Sequence, residues 1–263
     1  MKIILLGAGK LGKQLYAAFV NHPKINLIQW YQRGTLTERS SDGIPITSSL
    51  SKIYQADIYL LAISDDSVAE VAQKLPSTAL VVHTAGSVQM NVIPQKRKGV
   101  FYPLQSFSNN QLVDFSTIPI GIEATEEKDV TLLMELAQTI GSKPKILSSE
   151  QREIVHLAAV LVNNFTNHLL TQAAKLCEAH NLPFELLRPL LIETVRKTEQ
   201  STPHESQTGP ALRNDQKTLS RHLKLIENPE LKKIVLEKLQ VYGKENNLNN
   251  IEMIRDLIFD NIV

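Results

Sequence analysis

Short apolar runs alternate with amphipathic stretches over the first 150 residues of the chain. The first run is KIILLG, and it precedes LGKQLYAAFVNH, in which Leu11, Leu15 and Phe19 recur at helical spacing. The later strand-like runs are INLIQWY, DIYLLAIS, ALVVHTAG, IPIGIEA and KPKILS. The helix-like stretches between them are SSLSKIYQA, DDSVAEVAQKL and EEKDVTLLMELAQTIG. This alternation predicts an α/β fold with a doubly wound, mostly parallel sheet that helices cover on both faces.

Beyond Ser149 the pattern becomes helical throughout. A long amphipathic stretch begins there, with a bend expected at its two adjacent asparagines, and Pro189 interrupts the next helix-like stretch. No strand pattern follows Leu147. We therefore predict an α/β domain over residues 1–149 and an all-α C-terminal domain over residues 150–263.

Composition excludes several classes of partner. Lys plus Arg is 28 and Asp plus Glu is 27, so the net charge of +1 gives no reason to expect nucleic acid. No apolar run approaches the roughly 20 residues that cross a bilayer, and the first residues do not resemble a signal peptide. Cys177 is the single cysteine, which rules out an internal disulfide. We expect a soluble cytoplasmic protein, and no metal site is predicted.

A glycine fingerprint lies between the first predicted strand and helix. Gly7, Gly9 and Gly12 match G-x-G-x-x-G in a strand–turn–helix context, which turns a weak pattern into a specific one. The first glycine permits the tight turn, the second lets a pyrophosphate approach the backbone, and the third packs the helix closely on the strand. This predicts a Rossmann-like dinucleotide site in which Ala8, Lys10 and Leu11 also contact the phosphates. The alternative is a βα turn that uses glycine for geometry alone.

The end of the second predicted strand indicates which dinucleotide binds. An NAD site places a carboxylate there for the ribose 2′-hydroxyl, but Trp30, Tyr31 and Gln32 offer none. Arg33 follows, and its guanidinium can pair with a 2′-phosphate. We therefore predict NADP, with NAD less favoured. The alternatives are a solvated loop charge at Arg33 and a degenerate site that has lost nucleotide binding.

Two further strand ends carry polar residues. In AISDDSV, Ile63, Ser64 and Asp65 are predicted to line the cofactor crevice, since ligands bind at the carboxyl ends of parallel strands. The simpler interpretation makes Asp65 or Asp66 the N-cap of the next helix.

In VVHTAGSV, His83 and Thr84 are predicted at the same edge, and Ser87 is a candidate substrate ligand. His83 is a candidate proton donor because imidazole titrates near neutrality, or else a structural histidine bonded to a loop carbonyl.

The segment FYPLQSFS contains more polar and aromatic residues than a buried core strand usually does. Tyr102 and Gln105 are candidate substrate ligands in the wall of a nicotinamide pocket, although a strand that ends at Pro103 explains the same residues.

The helical half offers further candidates. His156, Asn163 and Asn164 fall on an apolar helix, where unpaired polar groups cost free energy, so they serve either interdomain bonds or a substrate. Thr208 and Arg213 lie in a polar loop, as substrate ligands or as solvated residues. We expect the working site between the domains, where His156 and Asn163 or Asn164 face the nicotinamide side of the crevice. Either His156 or His83 would protonate the product.

Taken together, several of these segments resemble one family. They are the glycine loop, AISDDSV, HTAGS, YPLQSFS, IPIGIEA, REIVHLAAVLVNNF and TGPALRNDQKT. They are similar to uncharacterised Rossmann-like proteins with a C-terminal helical domain of unknown function. The resemblance extends more distantly to pyrroline-5-carboxylate reductase, deazaflavin-dependent NADP oxidoreductases and the 6-phosphogluconate dehydrogenase group. It implies a helical domain that forms a homodimer and an active site between the domains.

One difference from these relatives argues against hydroxyacid dehydrogenase chemistry. The β-hydroxyacid dehydrogenases use a lysine followed four residues later by an asparagine on an early helix of the second domain, and here no lysine precedes Lys175 on that helix. Imine reduction needs fewer protein groups. The resulting hypothesis is an NADP-dependent oxidoreductase that reduces a C=N or C=O bond of a small molecule. The alternative is a nucleotide-binding sensor or scaffold without turnover.

Overall fold

The structure is a computed structural model that describes residues 1–108, 111–213 and 215–245. The strands are β1 (Lys2–Leu6), β2 (Asn26–Tyr31), β3 (Ile46–Thr47), β4 (Ile58–Leu61), β5 (Leu80–His83), β6 (Lys98–Pro103), β7 (Pro119–Ala124) and β8 (Lys143–Ile146). The α-helices are α1 (Lys10–Phe19), α2 (Val68–Gln73), α3 (Glu127–Thr139), α4 (Ser149–Ala159), α5 (Thr166–Ala179), α6 (Arg188–Lys197), α7 (Gln216–Leu225) and α8 (Pro229–Glu245). Across the described ranges, no helix is both long and apolar enough to cross a membrane.

The strands form one sheet in the order β3-β2-β1-β4-β5-β6-β7-β8. Neighbouring strands are parallel, apart from the antiparallel pair β6 and β7. The first six strands follow the order of dinucleotide-binding sheets, so the predicted Rossmann-like fold class is confirmed. The order reverses between β1 and β4, and the carboxyl ends of these strands are therefore where a ligand crevice is expected.

Apolar residues on both faces of the sheet account for its stability. On β1, Ile3 and Leu5 pack into one buried cluster with α1 and α3, whereas Ile4 and Leu6 pack into the other with α2. All four side chains are fully buried. Because β1 is buried on both faces, its sequence is a continuous apolar run without alternation.

One local prediction is wrong and one short strand is missing from the predicted elements, each for a physical reason. The stretch SSLSKIYQA was predicted as a helix but forms only a 3₁₀ turn over Leu50–Lys52. There Ser49 donates its backbone N–H to Thr47 Oγ1 at 3.2 Å, and such local side-chain bonds compete with helix formation. The strand β3 was not predicted, because two residues carry no periodic pattern.

Neither aspartate caps α2, contrary to the simpler interpretation of AISDDSV. A 3₁₀ turn over Asp65–Ser67 precedes the helix, and the N-cap residue Ser67 makes no side-chain cap bond. Asp65 instead accepts a hydrogen bond from Ser87 Oγ at 2.7 Å. This bond ties together two of the segments that end at the predicted crevice.

The bend predicted at the two asparagines is a π-helical segment over Val160–Phe165, between α4 and α5. Pro189 lies in the first turn of α6, where proline is tolerated, and a 3₁₀ turn over Phe184–Leu187 precedes it. No strand of the described ranges follows Ile146.

The chain divides into two compact units at Phe165 and Thr166. The boundary predicted from sequence lies earlier, at residue 149. The helix α4 belongs to the first unit, because Arg152 on α4 bonds to Glu123 on β7. The second unit contains α5 to α8 in its described part.

Candidate functional site

The glycine loop joins β1 to α1 with the geometry that its spacing predicts. Gly7 has a φ of +116°, and its N–H donates to the Tyr31 carbonyl at 3.0 Å. A Cβ added at Gly7 would collide with the Ala62 carbonyl, and one at Gly12 would collide with the Gly7 carbonyl. These two positions therefore require glycine for the turn and for close helix packing.

Gly9 differs from its two neighbours. Its φ is −68°, and a Cβ built on it would meet no protein atom within 4 Å. It is also the N-cap of α1, with no side-chain cap and no acidic residue in the first turn. The N-terminus of α1 thus keeps N–H groups and a partial positive charge available for an anion.

A cleft of about 520 Å³ opens at this loop. Nine predicted cofactor residues line it: Gly7, Ala8, Gly9, Lys10, Leu11, Arg33, Ile63, Ser64 and Thr84. Four further lining residues were not predicted: Tyr31, Ala62, Ser67 and Val71. Tyr31 and Ala62 end or follow strands next to β1, so the rule that ligands bind at strand ends would have found them.

Three predicted cofactor residues lie elsewhere. Gly12 packs α1 against the sheet, Asp65 is bonded to Ser87, and His83 is buried. For Gly12 this matches its predicted packing role.

Trp30 forms a hydrogen bond to the glycine loop, a contact that the sequence did not indicate. Its indole Nε1–H donates to the Gly7 carbonyl at 2.8 Å. Its ring stacks on Tyr16 with centroids 4.2 Å apart, and the Tyr16 hydroxyl bonds to Asp42 and Ser40. The position that could have held a carboxylate thus serves to fix the carbonyl of the first glycine.

Arg33 is exposed beside the cleft. Nearby, Glu70 is paired with Lys74 at 2.6 Å, a contact that lowers the pKa of Glu70. Arg39 donates to the Gly43 carbonyl at 2.7 Å and does not line the cleft. Of these two arginines, Arg33 is therefore the one placed to meet a bound anion.

His83 lies at the end of β5 with its side chain fully buried. Its Nδ1 accepts the Ala85 N–H at 3.1 Å. Burial, and to a lesser extent the positive charge of Arg152, lowers the pKa of His83 to about 3. The imidazole is therefore neutral at physiological pH, which suits the structural interpretation of this residue better than proton donation.

Tyr102 and His156 form a hydrogen-bonded pair. The Tyr102 hydroxyl lies 3.1 Å from His156 Nδ1, and the two rings meet edge to face. Tyr102 is buried, which raises the pKa of its phenol, while His156 is partly exposed. Gly86 packs against both rings. The histidine predicted as a donor thus lies beside the loop that follows β5.

The remaining predicted residues are exposed or locally bonded. Gln105 is exposed, and its Oε1 accepts the Ser106 N–H at 2.8 Å. Asn163 and Asn164 are exposed on the π-helical segment. Thr208 and Arg213 are exposed in the second unit. The roles assigned to these residues stay predictions.

Arg152 anchors α4 and was not singled out from the sequence. Its side chain is buried, pairs with Glu123, and donates to the Val88 carbonyl. Glu123 also accepts the Ser149 N–H at 3.1 Å, and Ser148 and Gln151 form a capping box at the helix start. This network fixes the helix that carries His156. Within the described residues, no group of three or more histidine, cysteine or acidic side chains could hold a metal ion.

Comparison with known proteins finds a matching domain family and solved structures with the same fold. Residues 118–237 match the model of a domain of unknown function, DUF2520. A candidate NADP oxidoreductase from Bacteroides fragilis is 34% identical, with 93% of this chain and 97% of that chain covered and a TM-score of 0.77. No curated protein matches the sequence significantly.

More distant solved structures share the fold. Pyrroline carboxylate reductase from Plasmodium falciparum, with NADP bound, is 13% identical, with coverage of 97% of this chain and 95% of that chain and a TM-score of 0.58. Reductive aminase from Aspergillus terreus, in complex with NADPH and ethyl levulinate, is 12% identical, with coverage of 97% and 90% and a TM-score of 0.62.

Proposed function

The chain belongs to the same family of uncharacterised Rossmann-like proteins as the Bacteroides fragilis protein, and we propose that it is an NADP-dependent oxidoreductase that reduces a C=N or C=O bond of a small molecule. The observation that carries this proposal is that the glycine loop and Arg33 line the same cleft. The names of the similar proteins, which bind NADP or NADPH, support the same cofactor.

The residues of the cleft fit a dinucleotide. Gly9 leaves the loop backbone open to a pyrophosphate, and the uncapped N-terminus of α1 offers N–H donors to its oxygens. Lys10 lines the same cleft and adds positive charge. When bound, NADPH would supply the hydride, and the protein would bind and orient the reacting groups.

Arg33 is the residue that we expect to distinguish NADP from NAD. Removing one charge-assisted contact costs roughly 1.5–3 kcal/mol, so Arg33→Ala should weaken NADPH binding about 10- to 100-fold. NADH, which lacks the 2′-phosphate, should bind this variant almost as it binds the wild type. Calorimetric titration with both cofactors measures the difference.

Arg39→Ala is the matched control, since Arg39 is also exposed but bonds to the Gly43 carbonyl away from the cleft. It should leave both affinities unchanged. Equal losses of NADPH and NADH binding in Arg33→Ala would contradict the assignment of the 2′-phosphate to this residue.

For the proton that completes a reduction, we assign His156 rather than His83. His156 is partly exposed beside the loop after β5, whereas His83 is buried with a pKa of about 3 and stays neutral. A general acid must hold a proton within reach of the substrate, which a buried neutral imidazole does not offer. Ser87, Gln105, Asn163, Asn164, Thr208 and Arg213 stay candidates for substrate contacts.

His83 should instead make the fold sensitive to acid. The unfolded chain takes up a proton on this imidazole near pH 6.5, but the folded protein does so only near pH 3. Stability is therefore fully present above pH 6.5 and falls as the pH drops toward 3, by about 1.4 kcal/mol per unit. Between pH 6.5 and 5 the wild type should lose about 2 kcal/mol through His83.

Urea unfolding at both pH values tests this contribution. His83→Asn keeps an acceptor for the Ala85 N–H but does not titrate. Between pH 6.5 and 5, the free energy of unfolding of this variant should therefore fall by about 2 kcal/mol less than that of the wild type. The exposed His180→Asn serves as the control and should behave as the wild type does. The same pH dependence in all three proteins would show that His83 is not the group responsible.

We also propose a homodimer through the helical unit. The α6 side chains Leu190, Ile192 and Val195 are each at least 60% exposed, and a small helical unit gains stability by covering such surface. On α8, Leu231, Ile234, Val235 and Leu239 are half-buried. Ile251, Ile254 and Ile258, which the sequence suggested as a further apolar face, lie outside the described residues.

Sedimentation velocity at micromolar concentration measures this assembly. The wild type should sediment as a species of twice its 29.4 kDa mass. Ile192→Asp places a charge on the exposed face that Ile192 shares with Val195, and it should shift the equilibrium to monomer without unfolding the chain. A monomeric wild type would contradict the proposed dimer.

The experiment that tests the function is an NADPH-oxidation screen over imines, ketoacids and aldehydes with the full chain. The proposal expects NADPH consumption that depends on both enzyme and substrate. NADPH binding without consumption over the whole screen would favour the sensor or scaffold function instead.

A further inference from the structure

The His156 ring has two close neighbours. The Tyr102 hydroxyl lies 3.1 Å from Nδ1. A Cβ added to Gly86 would lie 2.5 Å from Nδ1 and 2.9 Å from Cγ, so the loop backbone is in close contact with the ring. The same Cβ would lie 2.9 Å from Tyr102 Cε2. The absence of a side chain at Gly86 thus allows both rings to pack against the loop.

Register places this pair at the edge of the sheet where the cleft opens. His83 on β5 pairs with Val100 on β6, so Tyr102 lies two residues beyond that pairing toward the carboxyl edge. Thr84, the residue directly after β5, lines the cleft. Gly86 follows two residues later in the same loop.

The two members of the pair differ in exposure. Tyr102 is 8% exposed on a strand of the sheet, while His156 is partly exposed on α4. The helix itself is fixed by the bonds of Arg152 and Ser149 to Glu123. The less accessible tyrosine therefore lies behind the more accessible histidine, as an orienting group lies behind an acid or base.

We infer that Tyr102 is a positioning residue, whose hydroxyl oxygen accepts a hydrogen bond from His156 Nδ1–H and so leaves Nε2 as the nitrogen that gives its proton to the substrate. An imidazole whose Nδ1–H is held by an acceptor exchanges its second proton at the other nitrogen. Nε2 is the ring nitrogen that does not face the Tyr102 hydroxyl. This role rests on the proposed function, in which His156 supplies the proton.

The proton balance of the step is simple. Hydride goes from NADPH to the carbon of the C=N or C=O bond, and the nitrogen or oxygen takes a proton from protonated His156 through Nε2. The imidazole is then neutral, with its remaining proton on Nδ1 next to the Tyr102 oxygen. Uptake of a proton from water at Nε2 then restores protonated His156 for the next reduction. No proton leaves Tyr102 in this sequence.

Nitrogen-15 NMR of the full-length protein reports the tautomer directly and needs no substrate. The His156 signals are assigned by their loss in His156→Gln. In the neutral imidazole of the wild type we expect the form with the proton on Nδ1. Tyr102→Phe keeps the ring that packs on Gly86 but removes the acceptor, so the two tautomers should become mixed. Tyr54→Phe, which removes an exposed hydroxyl from the opposite edge of the sheet, should leave the signals unchanged.

Kinetics with the best substrate of the screen provide the second readout. Tyr102→Phe should lower kcat roughly 10-fold, the effect of one hydrogen bond, with KM for NADPH unchanged. His156→Gln should lower kcat about 100-fold or more. Melting temperatures of both variants should remain near that of the wild type, which separates this role from a merely structural one.

Each outcome decides one claim. A neutral wild-type His156 with its proton on Nε2, or a tautomer unaffected by Tyr102→Phe, overturns the positioning role even if the enzyme turns over. The wild-type spectrum alone gives this answer if Tyr102→Phe fails to fold. A wild type that oxidises no NADPH on any substrate overturns the proposed function, and the positioning of a proton donor with it.

Discussion

Gly9→Asp should abolish NADPH binding and leave the folded protein intact. The new carboxylate would extend into the cleft, against the position proposed for the pyrophosphate. Two like charges about 4 Å apart repel by about 4 kcal/mol at the effective dielectric of a protein surface. That energy corresponds to a loss of affinity of about 1,000-fold, which calorimetry would record as the absence of saturable binding.

The space around Gly9 allows this substitution to test nucleotide binding separately from folding. A Cβ there meets no protein atom within 4 Å, so the melting temperature should not change. Substituting Gly7 or Gly12 would not separate folding from binding, because a Cβ at either position collides with backbone carbonyls.

Gly9→Ala is the matched control, since it adds the Cβ without the charge. It should weaken NADPH far less than Gly9→Asp does. Wild-type affinity in Gly9→Asp would show that the nucleotide does not bind at this loop.

Arg152→Met should be the most destabilising substitution that we consider. Arg152 is 1% exposed, and its loss would leave Glu123 next to buried surface without its cation. Removing one partner of a buried ion pair costs about 3–5 kcal/mol. For a protein of this size the melting temperature should fall by about 10 °C. Thermal unfolding followed by circular dichroism measures the effect.

Two further variants show that the loss comes from an unpaired charge. Adding Glu123→Gln to Arg152→Met removes that charge and should restore part of the stability. Arg196→Met breaks the exposed pair with Glu193 and should have no measurable effect. If Arg152→Met is as stable as Arg196→Met, the buried pair does not hold α4 in place.

The features that could be predicted from sequence are local in the chain. Gly7 and Gly12 identify the turn in the sequence because neither position can accommodate a Cβ. The run on β1 is apolar because both faces of the sheet are covered there. The turn over Leu50–Lys52 was mistaken for a helix because serine and threonine side chains bond to nearby backbone there.

The features that could not be predicted depend on contacts between distant residues. Trp30 was considered only as a position without a carboxylate, yet it bonds to Gly7, 23 residues earlier. Tyr102 meets His156 across 54 residues, and Arg152 meets Glu123 across 29. No periodicity or spacing records such pairs, because they exist only once the strands and α4 are in place.

Titration of the wild type with NADPH and with NADH tests the central claim most directly. Trp30 is the single tryptophan of the chain and bonds to the glycine loop, so energy transfer from its indole to a bound reduced nicotinamide can be followed in the unmodified protein. Our account predicts saturable binding of NADPH with a Kd at least about 10-fold lower than that of NADH, because of the charge-assisted contact at Arg33. Equal affinities for the two cofactors, or no saturable signal with either, would contradict it.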